Sequence, residues 1–236
     1  MTPTKTKRHA FFDVDNTIYN GYTASELLFY LVKEKSSPQR LTDEFKKLAN
    51  KYQKGEINYA TITEGTLNLF SESLQGKTVD YVSQTVKDLL QRKTQIFFEW
   101  VKPVIDHLRE NNFEITLVSA GPDTVVKEVS ELLDANNVFA TKILTQNGIF
   151  TGQNPHILNE HEKVKIIDEL TGKQKDYFSV GFGDSTGDIH MLELMNHAFV
   201  LKNDHHPDMM RISRERNWTI FDNAETVIEK LEKIVL

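Results

Sequence analysis

Residues 9–17 read His9-Ala10-Phe11-Phe12-Asp13-Val14-Asp15-Asn16-Thr17, a short apolar run that ends in two carboxylates two positions apart. In an extended strand, residues i and i+2 point the same way, so Asp13 and Asp15 are expected on one face at the strand's end. Two close carboxylates repel unless a cation, a shared proton or a reaction makes use of them. A fold gains nothing from that pairing by itself, and the pair is therefore a candidate for chemistry.

Beyond this run the character of the chain changes. From about Thr23 to Phe98, apolar residues recur at helical spacing: Leu27, Leu28, Leu31 and Val32; then Leu41, Phe45 and Leu48; then Ile62, Leu67, Leu69 and Phe70; then Val79, Val82, Val86, Leu89 and Leu90. Breaks fall at Ser36-Ser37-Pro38, Gly55 and Gly76, which predicts a block of about four helices with no strand inside it. After Pro103 the pattern alternates. A helix over 103–111 leads to a strand Glu114–Ser119, and a helix Asp123–Leu133 leads to strands near 141–150 around the hairpin dipeptide Asn147-Gly148. A helix over 161–171 precedes a strand Tyr177–Val180, a helix over 188–196 precedes Ala198–Leu201, and a last helix covers Ala224–Val235. Strands alternating with helices predict an α/β core, a Rossmann-like parallel sheet with helices on both faces. The expected division is a core of residues 1–18 and 99–236, with a helical-bundle cap of residues 19–98 inserted after the first strand.

Composition narrows the classes. The 236 residues are 39% hydrophobic and 26% charged, as in an ordinary globular chain, and no apolar run approaches the ~20 residues of a spanning helix. The start, Met1-Thr2-Pro3-Thr4-Lys5-Thr6-Lys7-Arg8, is basic but lacks the apolar stretch of a signal peptide. The absence of cysteine rules out disulfides and thiolate chemistry and suits a cytoplasmic enzyme. A formal charge of −6 argues against general affinity for nucleic acid, and no membrane association is expected.

In open parallel sheets, ligands bind beyond the carboxyl ends of the strands, and four polar clusters fall at or near that edge. They are Asp13/Asp15; Ser119-Ala120-Gly121 after Leu117-Val118; Lys163 in Glu160-His161-Glu162-Lys163-Val164; and Gly181-Phe182-Gly183-Asp184-Ser185-Thr186-Gly187-Asp188. Their order and strand context resemble the four motifs of the haloacid dehalogenase superfamily across essentially the whole chain. The helical insertion, the hairpin stretch Thr141–Gly152 and the segment from Lys163 to Phe221 resemble its phosphoserine-phosphatase-like branch.

The resemblance implies a Mg²⁺-dependent phosphatase acting on a small phosphorylated metabolite, with Asp13 as nucleophile and Asp15 as general acid and base. Dianionic phosphate is repelled by these carboxylates, so a cation is required, and an all-oxygen ligand set favours Mg²⁺. By family analogy the ion is held by the Asp13 carboxylate, the Asp15 carbonyl and Asp184, with Asp188 behind them or reaching the metal through water. Ser119 and the N–H groups of Ala120 and Gly121 are expected to grip the phosphoryl oxygens, and Lys163 to offset their charge. Thr17 is expected to orient Asp15, and Asn20 to lie on the substrate side.

Several sequence features have plainer readings. Lys165 competes with Lys163, which is preferred because it precedes the apolar stripe Ile166, Ile167 and Leu170. Gly181-x-Gly183-x-x-x-Gly187 only faintly resembles a dinucleotide fingerprint, and Asp184 inside it would repel a pyrophosphate. His205-His206, in the polar stretch 203–207, is expected to form a solvated turn. Phosphoserine is the first substrate candidate by branch. That branch carries a glutamate soon after the first motif and a cap arginine, whereas this chain has Tyr19-Asn20-Gly21-Tyr22 with no acid before Glu26, and no arginine in Asn58–Gly76. A different alcohol is expected, such as an amino-alcohol, histidinol, a polyol or a nucleoside. Phosphoryl transfer to a second acceptor and non-catalytic binding of a phospho-ligand are the alternatives from other classes.

Overall fold

A computed structural model of the chain describes residues 7–172, 177–203 and 206–235. Its centre is the strand β1 (Lys7–Phe12), with β2 (Phe113–Pro122) on one side and β6 (Tyr177–Gly183) on the other. Adding β3 (Asn137–Thr141), β7 (His197–Leu201) and β8 (Thr219–Phe221) completes a six-stranded sheet in the order β3-β2-β1-β6-β7-β8, with every neighbouring pair parallel. The runs Ala10-Phe11-Phe12 and Ile115-Thr116-Leu117-Val118 are buried on both faces of the sheet, which explains why they read as continuous apolar stretches rather than alternating ones.

Register across the centre is fixed by aromatic rings. Phe12 pairs with Phe182, and Phe182 with Phe199. Their rings stack at centroid separations of 4.3 Å and 4.9 Å. A slip by one residue would turn this whole row to the other face. On the Phe12 face the core continues into α5 (Val101–Glu110), α6 (Asp123–Leu132) and α10 (Ala224–Val235) through Val104, Val126 and Leu231. On the Phe11 face it continues into α7 (Glu160–Thr171), α8 (Ile189–Glu193) and α9 (Pro207–Glu215) through Ile167, Met191 and Met209.

Between β1 and α5 run four helices, α1 (Thr23–Lys33), α2 (Arg40–Gln53), α3 (Tyr59–Leu74) and α4 (Val79–Arg92). Gly55 and Gly76, at the ends of α2 and α3, have φ of +71° and +76°, a conformation that suits glycine at helix ends. Asn58 and Thr78 cap the next two helices by accepting Thr61 N–H at 2.9 Å and Tyr81 N–H at 3.2 Å. Leu27, Leu31, Leu67, Phe70, Leu74, Val82 and Val86 bury the inner stripes. The hairpin β4 (Thr145–Gln146) and β5 (Ile149–Phe150) turns on Asn147 and Gly148, both at positive φ as a type I′ turn demands. It leans on the insertion, since Val79 N–H donates to the Gly148 carbonyl at 3.0 Å.

Two stretches differ from the sequence expectation. The helix expected over 188–196 begins as a 3₁₀ turn, Thr186–Asp188, and stops at Glu193. Helix α9 and strand β8 had no counterpart in the pattern. The inner side of α9 is only Met209, Met210 and Ser213, and three residues of β8 are too few for a period to show. Among the described residues no helix is long and apolar enough to cross a membrane.

Candidate active site

The chain builds β1, β2 and β3 outward in one direction, then returns to lay β6, β7 and β8 on the other side of β1. The order reverses between β1 and β6, where the helices leave in opposite directions and open a crevice at the carboxyl edge. Asp13 follows β1 there and Asp184 follows β6. Asp13 N–H extends the ladder by donating to the Phe182 carbonyl at 3.0 Å.

Lys163 joins the motifs. Its Nζ donates to Asp13 Oδ1 at 2.7 Å and to Asp188 Oδ1 at 2.8 Å, and the residue is 3% exposed. Helix α7 is set for this by a capping box in which Asn159 accepts the N–H groups of His161 and Glu162. Lys163 lies one turn inside the helix on the buried side, whereas Lys165 is exposed. Asp188 Oδ2 turns back to accept the Asp184 and Ser185 N–H groups at 3.3 Å and 3.2 Å, which ties the loop after β6 to its own acid. Gly183 permits this closeness, because a Cβ there would stand 2.7 Å from that of Asp188. Asp184 accepts from the side-chain amides of Asn16 at 3.1 Å and Asn203 at 3.2 Å.

Asp15 faces elsewhere. β1 ends at Phe12, and Asn16 turns the chain with a φ of +58°, so the strand-face relation expected of Asp13 and Asp15 gives way to a loop. The Asp15 carboxylate accepts Thr23 N–H at 2.9 Å and Thr23 Oγ1–H at 3.1 Å, at the start of α1. Gly121 lets three groups meet: a Cβ there would be 2.7 Å from Thr23 Oγ1 and 3.1 Å from both Asp15 Oδ2 and Ser119 Oγ.

Some expectations are amended. Thr17 does not hold Asp15; its hydroxyl lies 3.2 Å from Asp13 Oδ2 and 3.1 Å from Asp184 Oδ1, bridging the two acids. Gly121 N–H donates to Ser119 Oγ at 2.9 Å and so orients that hydroxyl. The Ala120 carbonyl accepts the Thr141 hydroxyl at 2.6 Å. Asn20 is not brought to the acids, for its amide faces Gln95 at 3.5 Å. His206 is no solvated turn residue: its Nε2 stands 3.8 Å from Asp184 Oδ2 with the side chain 11% exposed, while His205 lies outside the described residues. Sequence reasoning missed Asn16, Thr23, Asn203 and His206. The available signal was position, since Asn203 and His206 follow β7 at the same carboxyl edge.

A model of the haloacid dehalogenase-like hydrolases matches residues 10–193, which span all four motifs. The chain belongs to this family. It is 23% identical over 192 residues to the phosphoserine phosphatase of Methanocaldococcus jannaschii, covering 80% of this chain and 82% of that one. To the phosphoserine phosphatase of Archaeoglobus fulgidus it is 25% identical over 190 residues, covering 79% of this chain but only 50% of the relative. The crystal structure of a protein of unknown function from Bordetella pertussis Tohama I superposes with a TM-score of 0.78 at 17% identity, covering 92% of this chain and 99% of that one. This haloacid dehalogenase-like hydrolase thus stands on the phosphoserine-phosphatase-like branch, with the parallel sheet and helical insertion described above.

The hydrolase's acids carry unrelieved charge. Burial, reinforced by the nearby Asp13 charge, pushes the Asp15 carboxyl up to about 7 although both Thr23 hydrogen bonds oppose it. Burial and the Asp188 charge raise Asp13 against the pull of Lys163, and burial and Asp188 likewise raise Asp184. Burial works against the charge on Lys163, but its two carboxylate partners outweigh this and hold the ammonium above the ordinary lysine value. Asp13, Asp184 and Asp188 each place one carboxylate oxygen within 4.8 Å of the others. Three carboxylates against one lysine leave two negative charges, and all the donors are hard oxygens. A divalent cation matches that set in charge and in ligand type.

A stability measurement follows from these shifts. The three raised acids have folded values above the ordinary 3.8 of an unfolded aspartate. Between those limits the folded chain binds more protons than the unfolded one, so stability rises as pH falls toward the unfolded value. In chelator, the melting temperature is expected to be several degrees higher at pH 5.5 than at pH 8. Added Mg²⁺ should raise it more at pH 8. A flat pH response in chelator would mean that the acids are not under charge strain.

Proposed function

We propose that the chain hydrolyses small phosphate monoesters through an aspartyl-phosphate on Asp13, with Asp15 as proton donor and acceptor. The observation that carries this is the meeting of four sequence-distant motifs at the crevice between β1 and β6: a buried carboxylate held by a buried lysine, beside a second carboxylate pushed up to about 7. A general acid and base works best with its pKa near the operating pH.

Asp13 attacks the phosphorus in line while the ester oxygen departs. Lys163 and Thr17 fix the attacking carboxylate, so little orientation is left to lose at the reacting step. Asp15 gives its proton to the departing alkoxide, which leaves as the alcohol. The ionised Asp15 then takes a proton from water, whose oxygen attacks the same phosphorus, releases inorganic phosphate and restores the Asp13 carboxylate. Ser119 has its oxygen oriented by Gly121 N–H, which leaves its own O–H for a phosphoryl oxygen. Mg²⁺, held by Asp13, Asp184 and the Asp15 carbonyl with Asp188 behind them, would supply positive charge to the phosphoryl group. Residues 19–98 act as a cap that excludes bulk water and selects the alcohol.

Phosphate release from p-nitrophenyl phosphate should require Mg²⁺, stop with chelator and resume when Mg²⁺ is restored. Intact mass after acid quench should show a phosphoryl adduct on the protein. Release that persists in chelator would sink the metal assignment, and turnover with no adduct would remove the covalent route. Acceptor alcohols should leave the phosphate yield unchanged, whereas transfer to them would make the chain a phosphotransferase.

A further inference from the structure

Helix α3 brings its first residue onto the turn that carries the acids. Asn58 fixes that end by accepting Thr61 N–H at 2.9 Å and Thr61 Oγ1–H at 2.8 Å, and Tyr59 follows as the first helical residue. Its ring lies against Gly187: a Cβ there would be 2.9 Å from Tyr59 Cε1 and 3.6 Å from its Cδ1. Gly187 is not among the glycines at positive φ, so the backbone of the turn does not call for glycine. What the missing side chain supplies is room for the ring. Gly187 stands inside the 3₁₀ turn Thr186–Asp188, between Asp184 and Asp188.

The same ring meets the loop after β7. The Tyr59 and His206 rings are edge-on, with planes at 85° and centroids 6.5 Å apart, an arrangement that aromatic pairs favour. His206 Nε2 stands 3.8 Å from Asp184 Oδ2, and the Asn203 amide donates to that same oxygen at 3.2 Å. One ring of the helical insertion therefore touches both core loops that flank Asp184. Dispersion falls off so steeply that a gap of about 1 Å forfeits much of such a contact. The ring can steady these loops only while the insertion is seated on the core.

We propose that Tyr59 is a positioning residue: it seats the cap on the core by filling the space beside Gly187, and so holds the Asp184 and Asp188 loops in place for reaction. This rests on the phosphatase reading and on residues 19–98 acting as its cap. It makes closure of the cap and ordering of the acid-bearing turn one event, joined through a single side chain.

The test is a double-mutant cycle on Tyr59 and Gly187, read in kcat/KM for p-nitrophenyl phosphate at saturating Mg²⁺. Tyr59→Ala empties the seat and should lower kcat/KM by about 10-fold. Tyr59→Phe keeps the ring and should stay within about 2-fold of wild type. Gly187→Ala fills the seat and should also cost about 10-fold while Tyr59 is present, because the ring has to leave. Added to Tyr59→Ala, it should cost nothing further, since the space is then vacant. Tyr59 is only part-buried, so each variant should fold, and melting temperatures in chelator check this. A Gly187→Ala loss as large without the ring as with it would overturn the proposal, because alanine would then disturb the turn itself. A Tyr59→Phe loss equal to that of Tyr59→Ala would overturn it as well, by giving the role to the hydroxyl. Coupling seen in melting temperature but not in kcat/KM would make Tyr59 a packing residue and remove the positioning role. Equal turnover by wild type and all variants would remove that role and leave the phosphatase reading standing. No turnover of any ester by the wild type would remove both.

Discussion

Asp13→Asn is expected to lower phosphate release by about 10⁴-fold or more, the scale seen when an enzyme loses its nucleophile, without unfolding the protein. Asparagine keeps the shape of the side chain and an oxygen for the Thr17 hydroxyl, which lies 3.2 Å from Asp13 Oδ2. What it removes is one of three clustered buried carboxylates, of which only Asp13 and Asp188 share the one lysine. In chelator at pH 8, the variant should therefore melt no lower than the wild type, because the native carboxylate is held there at a cost. Activity and stability should move independently, as they do where strain is kept at a functional site. Intact mass should show no phosphoryl adduct on this variant. A loss of only a few-fold, or an adduct that survives, would place the nucleophile elsewhere.

The second large effect is on stability. Lys163→Met should destabilise the metal-free protein by about 3–5 kcal/mol, because removing one partner of a buried ion pair leaves uncompensated charge behind. The ammonium touches both Asp13 and Asp188 and is 3% exposed, so water cannot take its place cheaply. Two conditions should rescue the fold. Lowering the pH to 5.5 protonates acids whose pKa values are raised already, and Mg²⁺ supplies the missing positive charge. Activity with saturating Mg²⁺ should still fall by about 10²-fold or more, as for loss of one electrostatic stabiliser of a developing charge. Chemical denaturation in chelator at both pH values checks the first part, and steady-state rates the second. A variant as stable as wild type at pH 8 without metal would show that Lys163 does not neutralise the cluster.

Both variants bear on how much of the site could be read in advance. Asp13, Ser119, Lys163 and Asp184 each sit at or near the end of a recognisable strand or helix, and alternation of period predicts which edge of the sheet those ends share. Thr23 gave no such signal, being one threonine among many, and only the turn at Asn16 swings Asp15 toward it. The same turn removes Thr17 from Asp15 and sets it between Asp13 and Asp184. Asn203 and His206 lie in a polar stretch, where patterning has nothing to measure until β7 fixes where its carboxyl end points. Asn20 was placed by its nearness in sequence to the first motif, yet three residues of loop suffice to turn its amide to Gln95.

By itself the sequence determined the α/β class, the helical insertion after β1 and the order of the acid, hydroxyl, lysine and acid motifs. Those features are written in local periodicity and in side chains next to strand ends, where backbone geometry leaves few choices. Only the tertiary structure decided that Lys163, 150 positions from Asp13, bridges it to Asp188, and that Thr23 rather than Thr17 holds Asp15. It alone set Tyr59 against Gly187 in the turn after β6. Such contacts join elements that are remote in the chain, and they exist only once the aromatic row Phe12, Phe182 and Phe199 has locked β1, β6 and β7 in register.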